Sequence, residues 1–286
     1  MNFYHYRAYG FTVHSDREIP LIEKAAQTDA ADILVHRRED EDLVLCGQNS
    51  EGIVRTSCLG SVLIQNGNEI ITDFPGNLPV SFLCPGYIDT LIQQRGLFAF
   101  HGTAVCKNGR AVLITGEHGA GKSSLAAEFI EQGWKLMTDD VAILEPTEGN
   151  VLVRSGAPVQ KLCRDTVELL GCPERILYPV SNGTNDDKFY LDRSEEYFSG
   201  SLPLDCVIAM KTDDDALSVR RIKGGDKLAV LQPLLLHSGF SQPEWSASMR
   251  FLLEVSSVLP LYGLIRNTKD SLKAEYETLV EACHLQ

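Results

Sequence analysis

The sequence predicts an α/β protein with a small β-rich unit at its N-terminus. Between residues 111 and 144 a strand, a glycine-rich loop, a helix and a second strand follow one another, as in the βαβ units of parallel α/β sheets. Residues 1–85 instead hold short β-branched runs separated by turn residues. The composition, 44% hydrophobic and 23% charged over 286 residues, is that of a globular chain and excludes a disordered or fibrous protein.

The N-terminal unit, which we place at residues 1–85, is predicted to be built from short strands. Its clearest signal is a hairpin, because apolar β-forming residues flank the turn pair Asn66-Gly67. Strands are predicted at 4–14, 33–37, 52–58, 61–65 and 69–72. Pro and Gly residues at 73–79 and 85–86 then interrupt regular structure, which sets the boundary. Since the unit carries no catalytic constellation, we interpret it as a structural or docking module.

The second unit, residues 86–286, is predicted to hold the α/β core. A helix at 87–95 and a strand at 97–100 lead to the glycine-rich loop. Farther on, strands at 206–211 and 217–222 flank an acidic turn and are predicted to form a hairpin. The remaining predicted elements are helices at 227–237, 244–258 and 271–283 and a strand at 261–266.

Charge and cysteine content exclude several classes of protein. The net charge of −13 argues against a nucleic-acid or anionic-membrane binder, because Lys and Arg supply most of that affinity. The eight cysteines include no C-x-x-C pair, which argues against a zinc ribbon or a dithiol redox site. No signal peptide is recognisable, and polar residues interrupt the longest apolar stretch, so we expect a soluble cytoplasmic protein.

The glycine-rich loop is a nucleotide-binding motif. Residues 116–123 (GEHGAGKS) fit G-x-x-x-x-G-K-[ST], a coincidence expected by chance in only about 1% of chains of this length. In such a loop the backbone N–H groups surround phosphate oxygens at a helix N-terminus, the lysine bridges the β- and γ-phosphates, and the serine can bind Mg²⁺. The predicted nucleotide-binding residues are Gly116, Glu117, His118, Gly119, Ala120, Gly121, Lys122, Ser123 and Ser124.

An acidic pair, Asp139-Asp140, follows the P-loop helix by one strand. Carboxylates at the carboxyl end of a strand face the ligand crevice of an open α/β sheet. One of them can hold Mg²⁺ and the other can accept a proton from an attacking hydroxyl. The alternative is a structural turn or helix cap formed by the two Asp residues. His101 precedes the P-loop strand, and taken alone a histidine is more often a packing residue than a catalytic one.

These motifs together resemble the HPr kinase/phosphorylase superfamily, whose nucleotide-binding core is similar to that of phosphoenolpyruvate carboxykinase. The residues that carry the resemblance are 95–105 (RGLFAFHGTAV), 112–126 (VLITGEHGAGKSSLA) and 133–141 (GWKLMTDDV). The resemblance implies a kinase that uses ATP and Mg²⁺. It further implies that Asp139 is the base for the acceptor hydroxyl, that Asp140 and Ser123 bind magnesium, and that His101 lies beside the transferred phosphoryl group.

A weaker resemblance extends to HPr-kinase-like proteins that phosphorylate the C-terminal serine of lasso-peptide precursors. It rests on residues 6–20, 156–171, 187–189 and 261–266. On this resemblance Lys188 and Arg266 are candidate positive clamps on a phosphate or a substrate carboxylate, with solvated surface charges as the alternative. The function implied is transfer of a phosphoryl group from ATP to a serine hydroxyl.

Two other functions stay open for this sequence. One is a small-molecule kinase on the same core. The acceptor therefore stays open between a peptide and a small hydroxyl-bearing compound. The other is a regulatory module that binds ATP without transferring phosphate, although such a module has no need of a carboxylate base. A homo-oligomer also stays open.

Overall fold

The computed structural model describes residues 3–20, 22–27, 29–38, 43, 52–57, 60–78, 87–180, 187–213, 216–236, 245–267 and 270–285. The predicted boundary at residue 85 lies outside these ranges and stays a prediction. None of the helices in these ranges is long and apolar enough to cross a membrane. The described cysteines are free thiols.

The N-terminal part of the chain forms one seven-stranded sheet in the order β3-β1-β2-β4-β7-β6-β5. Its strands are β1 (Tyr4–Ala8), β2 (Phe11–Ser15), β3 (Glu23–Lys24), β4 (Ile33–Arg37), β5 (Ile53–Ser57), β6 (Gly60–Gln65) and β7 (Glu69–Thr72). Strand β4 runs parallel to both β2 and β7, while the other pairs are antiparallel. The predicted strand at 33–37 is confirmed with the same bounds.

Two tight hairpins organise this sheet. The predicted turn at Asn66-Gly67 is confirmed: it joins β6 to β7, and both residues have positive φ angles of 57° and 65°. A second hairpin, which the single predicted strand at 4–14 missed, turns at Tyr9-Gly10 with φ angles of 55° and 74°. Positive φ at both central residues is the geometry of a type I′ turn, in which Asn and Gly are common and a bulky residue is rare.

The strands that follow are β8 (Phe98–Lys107), β9 (Arg110–Gly116), β10 (Lys135–Thr138), β11 (Val141–Thr147), β12 (Asn150–Arg154), β13 (Val159–Cys163), β14 (Ile176–Pro179), β15 (Lys188–Asp192), β16 (Ser201–Thr212), β17 (Ser218–Ile222) and β18 (Leu261–Arg266). The helices are α1 (Ile88–Gln94), α2 (Lys122–Glu131), α3 (Arg164–Leu170), α4 (Asp226–Leu231), α5 (Trp245–Val258) and α6 (Leu272–Cys283). Strands β13, β15 and β14 form a small antiparallel sheet, and the others form a mixed eight-stranded sheet. The α/β class is therefore confirmed.

The P-loop strand β9 lies inside the large sheet, between antiparallel β8 and parallel β16. Strand β10 pairs with the other edge of β8, so β9 and β10 run in the same direction with β8 between them. The predicted βαβ unit is thus correct in strand direction, but its two strands are not neighbours. The carboxyl ends of β9 and β10 consequently lie at the same edge of the sheet.

Two sequence predictions in this unit are wrong. The segment from Trp134 to Leu144 is not one strand, because it breaks at Asp139-Asp140, where Asp140 has a φ of 67°. The predicted hairpin of β16 and β17 does not form either: β18, from much later in the chain, lies between them, parallel to β16 and antiparallel to β17. Strand β18 buries Leu261 and Leu264 there, a long-range pairing that local turn signals do not reveal.

Apolar packing joins these layers around the P-loop edge. Helices α2 and α6 cover one face of the large sheet, and α5 covers the other. The apolar cluster of the N-terminal sheet continues onto α1, β8 and β11, so the two predicted units share one packed core. Through this contact the Tyr9-Gly10 hairpin meets the strand end that carries the acidic pair.

Candidate active site

The P-loop begins where β9 ends and closes onto the N-terminus of α2. Gly116, the last residue of β9, has a φ of 144°, and a Cβ there would lie 2.4 Å from the carbonyl oxygen of Met210 on β16. Gly121 caps α2 with a φ of 88°. Both positions therefore require glycine, which lets the loop lie close to its neighbours with its N–H groups at a helix N-terminus.

Lys122 is buried and lies across the P-loop. Its Nζ donates hydrogen bonds to the carbonyl oxygens of Gly116 (3.0 Å) and Glu117 (2.8 Å). Burial lowers the pKa of Lys122, although the charges of Asp139 and Asp140 oppose this effect. The ammonium is thus held at the loop by two backbone carbonyls, and a phosphate that takes their place would find it already in position.

The other predicted loop residues differ in exposure. Glu117, His118 and Gly119 are exposed at the tip of the loop, whereas Ala120 is buried. The Ser124 hydroxyl is 2.9 Å from the hydroxyl of Thr166 on α3, so this residue joins α2 to α3.

Asp139 lies at the turn between β10 and β11 and is 9% exposed. Its Oδ1 accepts hydrogen bonds from the hydroxyls of Thr103 (2.5 Å) and Ser123 (3.2 Å), and its Oδ2 accepts one from the backbone N–H of Lys161 (2.8 Å). Burial, together with the nearby charge of Asp140, raises the pKa of Asp139 to about 6. The structure therefore brings the acidic pair to the P-loop serine, and it gives Asp139 the basicity that a proton acceptor needs at neutral pH.

Asp140 faces a lysine and a histidine. Its carboxylate forms a short ion pair with the ammonium of Lys161. Burial alone would raise the pKa of Asp140, but the charges of Lys161, His101 and Lys122 together lower it. The Nδ1 of His101 is 3.1 Å from the backbone carbonyl oxygen of Asp140, an acceptor, so Nδ1 carries the ring proton. Burial and the charge of Lys122 lower the pKa of His101, which keeps the ring neutral.

A buried arginine, Arg193, is linked through Gln160 to the start of helix α2. The Gln160 amide donates to the carbonyl oxygen of Ser123 (2.9 Å), and its oxygen accepts from Nε of Arg193 (3.0 Å). Arg193 is completely buried and has an ion-pair contact with Glu131 at 3.6 Å. This chain of contacts fixes the backbone of Ser123 relative to β13 and β15.

Arg266, at the end of β18, lies directly against the P-loop. Its Nε donates to Oε1 of Glu275 (2.6 Å), and its Nη1 is 3.5 Å from the carbonyl oxygen of Ala120. A Cβ on Gly121 would lie 2.2 Å from Nη1, so the guanidinium occupies the space that this glycine leaves open. Glu275 is fully buried, and burial raises its pKa to about 7 although Arg266 opposes the shift.

Lys188 begins β15, opposite Cys163 on β13. It lies close enough to the P-loop for its charge to contribute to lowering the pKa of Lys122. The structure therefore brings Lys188 and Arg266 to the same site as His101 and the acidic pair.

Sequence analysis missed several residues of this site: Thr103, Gln160, Lys161, Arg193 and Glu275. Thr103 and the pair Gln160-Lys161 lie inside segments that carry the family resemblance, so their positions were available but their partners were not. Arg193 and Glu275 had no sequence signal, because only the tertiary fold brings them to the P-loop.

The oxygen donors at this edge of the sheet fit a magnesium ion. Mg²⁺ prefers oxygen ligands and usually binds one or two protein side chains together with water and nucleotide phosphates. The Ser123 hydroxyl and two carboxylates supply such donors, and the hydroxyl already contacts Asp139. Within the described ranges no three His, Cys, Asp or Glu side chains form a metal-binding group.

Part of the chain is similar to known proteins. An HPr kinase/phosphorylase of Exiguobacterium is 26% identical over 173 residues, 56% of this chain and 52% of that protein. The enzyme of the same name from Clostridium beijerinckii is 44% identical over 55 residues, 19% of this chain and 18% of that protein. The solved Hpr(Ser) kinase/phosphatase from Coxiella burnetii has a TM-score of 0.35 and 16% identity, covering 65% of this chain and 96% of that chain.

These matches span about half, or less, of the curated relatives. The model of the HPr Serine kinase C-terminal domain matches residues 96–172. That segment contains the P-loop, the acidic pair and Lys161. The P-loop and the acidic pair therefore lie in a segment that is similar to the HPr serine kinase C-terminal domain.

Proposed function

We propose that this protein is an ATP- and Mg²⁺-dependent kinase that transfers the γ-phosphoryl group to a hydroxyl, with serine as the acceptor. The observation that carries the proposal is the 3.2 Å contact between the Ser123 hydroxyl and the Asp139 carboxylate. It joins the phosphate-binding end of the site to a carboxylate whose pKa of about 6 suits a base. The similarity of residues 96–172 to a serine kinase domain supports the same chemistry.

In the proposed reaction Asp139 accepts the proton of the acceptor hydroxyl as the acceptor oxygen bonds to the γ-phosphorus. The bond from the γ-phosphorus to the oxygen that bridges to the β-phosphate breaks, and ADP leaves with that oxygen. Charge on the phosphoryl oxygens spreads in the transition state, so catalysis depends on positioned cations. Lys122 supplies one cation at the β- and γ-phosphates, and Arg266 lies against the same loop.

Ser123 and Asp140 are the proposed magnesium ligands, and bound Mg²⁺ would neutralise charge on the β- and γ-phosphates. His101 and Lys188 are proposed to face the transferred group. The phosphates would raise the pKa of His101, so that a ring that is neutral in the free protein can donate a hydrogen bond from both nitrogens.

The acceptor proposed for the first test is the C-terminal serine of a lasso-peptide precursor. This choice rests on the weaker resemblance of residues 6–20, 156–171, 187–189 and 261–266 to the kinases of such peptides. The overall acidic charge, −13, is compatible with a neutral or basic peptide. We further propose that the protein acts in the cytoplasm.

The test incubates the purified full-length protein with ATP, Mg²⁺ and two sets of peptides, one ending in serine and one with an internal serine. Mass spectrometry is expected to show the addition of one phosphate group, located on the serine by fragmentation. The control peptides have the same sequences with the serine replaced by alanine, which removes the acceptor hydroxyl. If no peptide gains a phosphate while ATP still binds, the peptide-kinase proposal is wrong.

A further inference from the structure

A small pocket opens beside the acidic pair. Its walls include Tyr9 from the N-terminal sheet, Val159 and Tyr190 from the small sheet, and Lys161 next to Asp139 and Asp140. Its free volume of about 10 Å³ gives room for roughly one water molecule. A group held in this pocket would therefore contact the carboxylate that we propose as the base.

Tyr9 reaches the pocket at a conformational cost. It occupies the first central position of a type I′ turn with a φ of 55°, although its side chain is bulky. The Tyr9 N–H donates to the carbonyl oxygen of Ser155 (2.8 Å), and Nη1 of Arg154 donates to the Tyr9 carbonyl oxygen (3.4 Å). Strained residues persist where surrounding contacts hold them, and they cluster at functional sites.

The core leaves space for this ring. A Cβ on Gly156, in the connection between β12 and β13, would lie 2.9 Å from Cε1 of Tyr9, so a glycine is needed where the ring packs against this backbone. Tyr9 is only 2% exposed, although it lies at the tip of a hairpin. The hairpin is thus packed into the core with its tyrosine pointing at the pocket.

A second tyrosine, Tyr190, also lines the pocket. Tyr190 is 4% exposed, and Nζ of Lys161 lies 5.6 Å from the centroid of its ring. The same ammonium pairs with Asp140, so its position is fixed by two contacts. The pocket therefore combines the charged groups of the acidic pair and Lys161 with two tyrosines and Val159.

We propose that this pocket is the acceptor subsite and that Tyr9 is a specificity-determining residue of it. It takes the hydroxyl of a serine-sized acceptor in the water-sized space beside Asp139, with the CH₂ at the mouth of the pocket. Its small volume disfavours the additional methyl group of threonine. The Tyr9-Gly10 hairpin of the N-terminal sheet is then part of the substrate-binding site. This inference rests on the proposed function and adds the residues that select the acceptor.

The experiment measures steady-state transfer to a serine-ending peptide and to its threonine counterpart with saturating ATP and Mg²⁺. Tyr9→Asn removes the ring but suits the left-handed turn. We expect it to raise the KM for the serine peptide by about tenfold, because the loss of apolar contacts in a pocket changes discrimination by about 10–200-fold per methylene-sized group. The KM for ATP should stay within about twofold of the wild-type value. Tyr6→Phe, at another buried tyrosine of the same sheet, is the matched control and should leave both KM values unchanged.

Val159→Ala provides a second test that does not depend on how the hairpin folds. It enlarges the pocket, so the preference for the serine peptide over the threonine peptide should fall at least about threefold. If Tyr9→Asn leaves the peptide KM unchanged and Val159→Ala leaves the preference unchanged, the subsite is located elsewhere although the kinase proposal stands. If the wild-type protein phosphorylates neither peptide, the proposed peptide-kinase function fails and this inference fails with it.

Discussion

The N-terminal sheet and the P-loop sheet place their charged groups in different surroundings. In the N-terminal sheet the ion pair of Arg7 and Asp29 has side chains 51% and 33% exposed, and such pairs contribute about 0–1 kcal/mol. At the P-loop the pair of Arg266 and Glu275 is 13% and 0% exposed. Removing two charges from water costs more than most such pairs regain.

This difference indicates what each region contributes. The N-terminal sheet gains its stability from apolar side chains, because its buried cluster is built from them. The P-loop edge holds Lys122, Asp139, Arg193 and Glu275 buried at a cost to stability. The proposed binding of phosphates and transfer of a proton require such groups. Apart from Tyr9, substitutions in the first region should therefore change stability, and substitutions in the second should change chemistry.

The largest expected effect is the loss of Lys122. Lys122→Ala should lower kcat/KM for phosphoryl transfer by about 10²–10³-fold or more, as for removal of one positioned donor from a transition state. The measurement is steady-state transfer to the serine peptide. Lys107→Ala is the control. Lys107 also donates a hydrogen bond to a backbone carbonyl, that of Gln132, but it lies beside the start of β9 and not beside the P-loop at its end. Equal losses of kcat/KM in the two variants would contradict a specific role of Lys122 in phosphoryl transfer.

Glu275→Gln should have a smaller, pH-dependent effect. Ionised Glu275 holds Arg266 against the P-loop, and loss of one charge-assisted hydrogen bond corresponds to about a tenfold loss in kcat/KM. Because the pKa of Glu275 is raised to about 7, the wild-type carboxyl becomes neutral as the pH falls below that value. The wild-type/variant ratio should therefore be largest above pH 8 and approach one near pH 6.

Glu145→Gln is the control for this measurement, because Glu145 pairs with Arg154 away from the P-loop. A ratio for Glu275→Gln that is independent of pH would contradict the charge-based role of Glu275.

The stability of the wild type relative to Asp139→Asn should decrease as the pH rises. The folded pKa of Asp139, about 6, lies above its unfolded value of about 3.9, so its contribution is fully present below pH 4 and is lost as the pH rises through 6. Thermal unfolding at pH 4 and pH 8 should show the difference in Tm between wild type and variant changing by about 2–5 °C in favour of the variant. A difference that does not change with pH would show that burial of this carboxylate carries no cost.

The smallest effect on activity is expected in the N-terminal sheet. The Tyr6 hydroxyl accepts a hydrogen bond from the N–H of Ile19 at 2.9 Å, in a buried setting. Tyr6→Phe leaves that N–H without its acceptor and should reduce the free energy of unfolding by about 1–3 kcal/mol. Denaturant unfolding measures the loss, and kcat/KM at 25 °C should stay within about twofold of the wild-type value. A large loss of activity would mean that the whole sheet, and not Tyr9 alone, acts in catalysis.

Local signals in the sequence predicted a large part of the fold. The Asn66-Gly67 turn and the strand Leu261–Arg266 could be predicted because turn chemistry and β-branched runs act over a few residues. The hairpin at Tyr9-Gly10 could not, since tyrosine is rarely found in the left-handed region that it occupies. The position of β18 between β16 and β17 depends on pairings between residues far apart in the chain, such as Val207 with Leu261, which no local pattern records.

The candidate site shows the same limit. Motif spacing predicted the P-loop and the acidic pair, because their chemistry depends on neighbours in the chain. Lys161 pairs with Asp140, and Glu275 pairs with Arg266, only after folding brings these residues together. Their roles therefore became visible only in the tertiary structure.

The central claim, that this edge of the sheet transfers phosphate and does not only bind nucleotide, is tested most directly on Asp139→Asn. The measurement pairs the Kd for ATP with the rate of phosphoryl transfer to the serine peptide, for wild type and variant at pH 8. We expect a Kd within about threefold of the wild-type value and a transfer rate lower by about 10²–10⁴-fold, the contribution of a general base. An unchanged transfer rate, or a wild-type protein that binds ATP but transfers no phosphate, would contradict the claim.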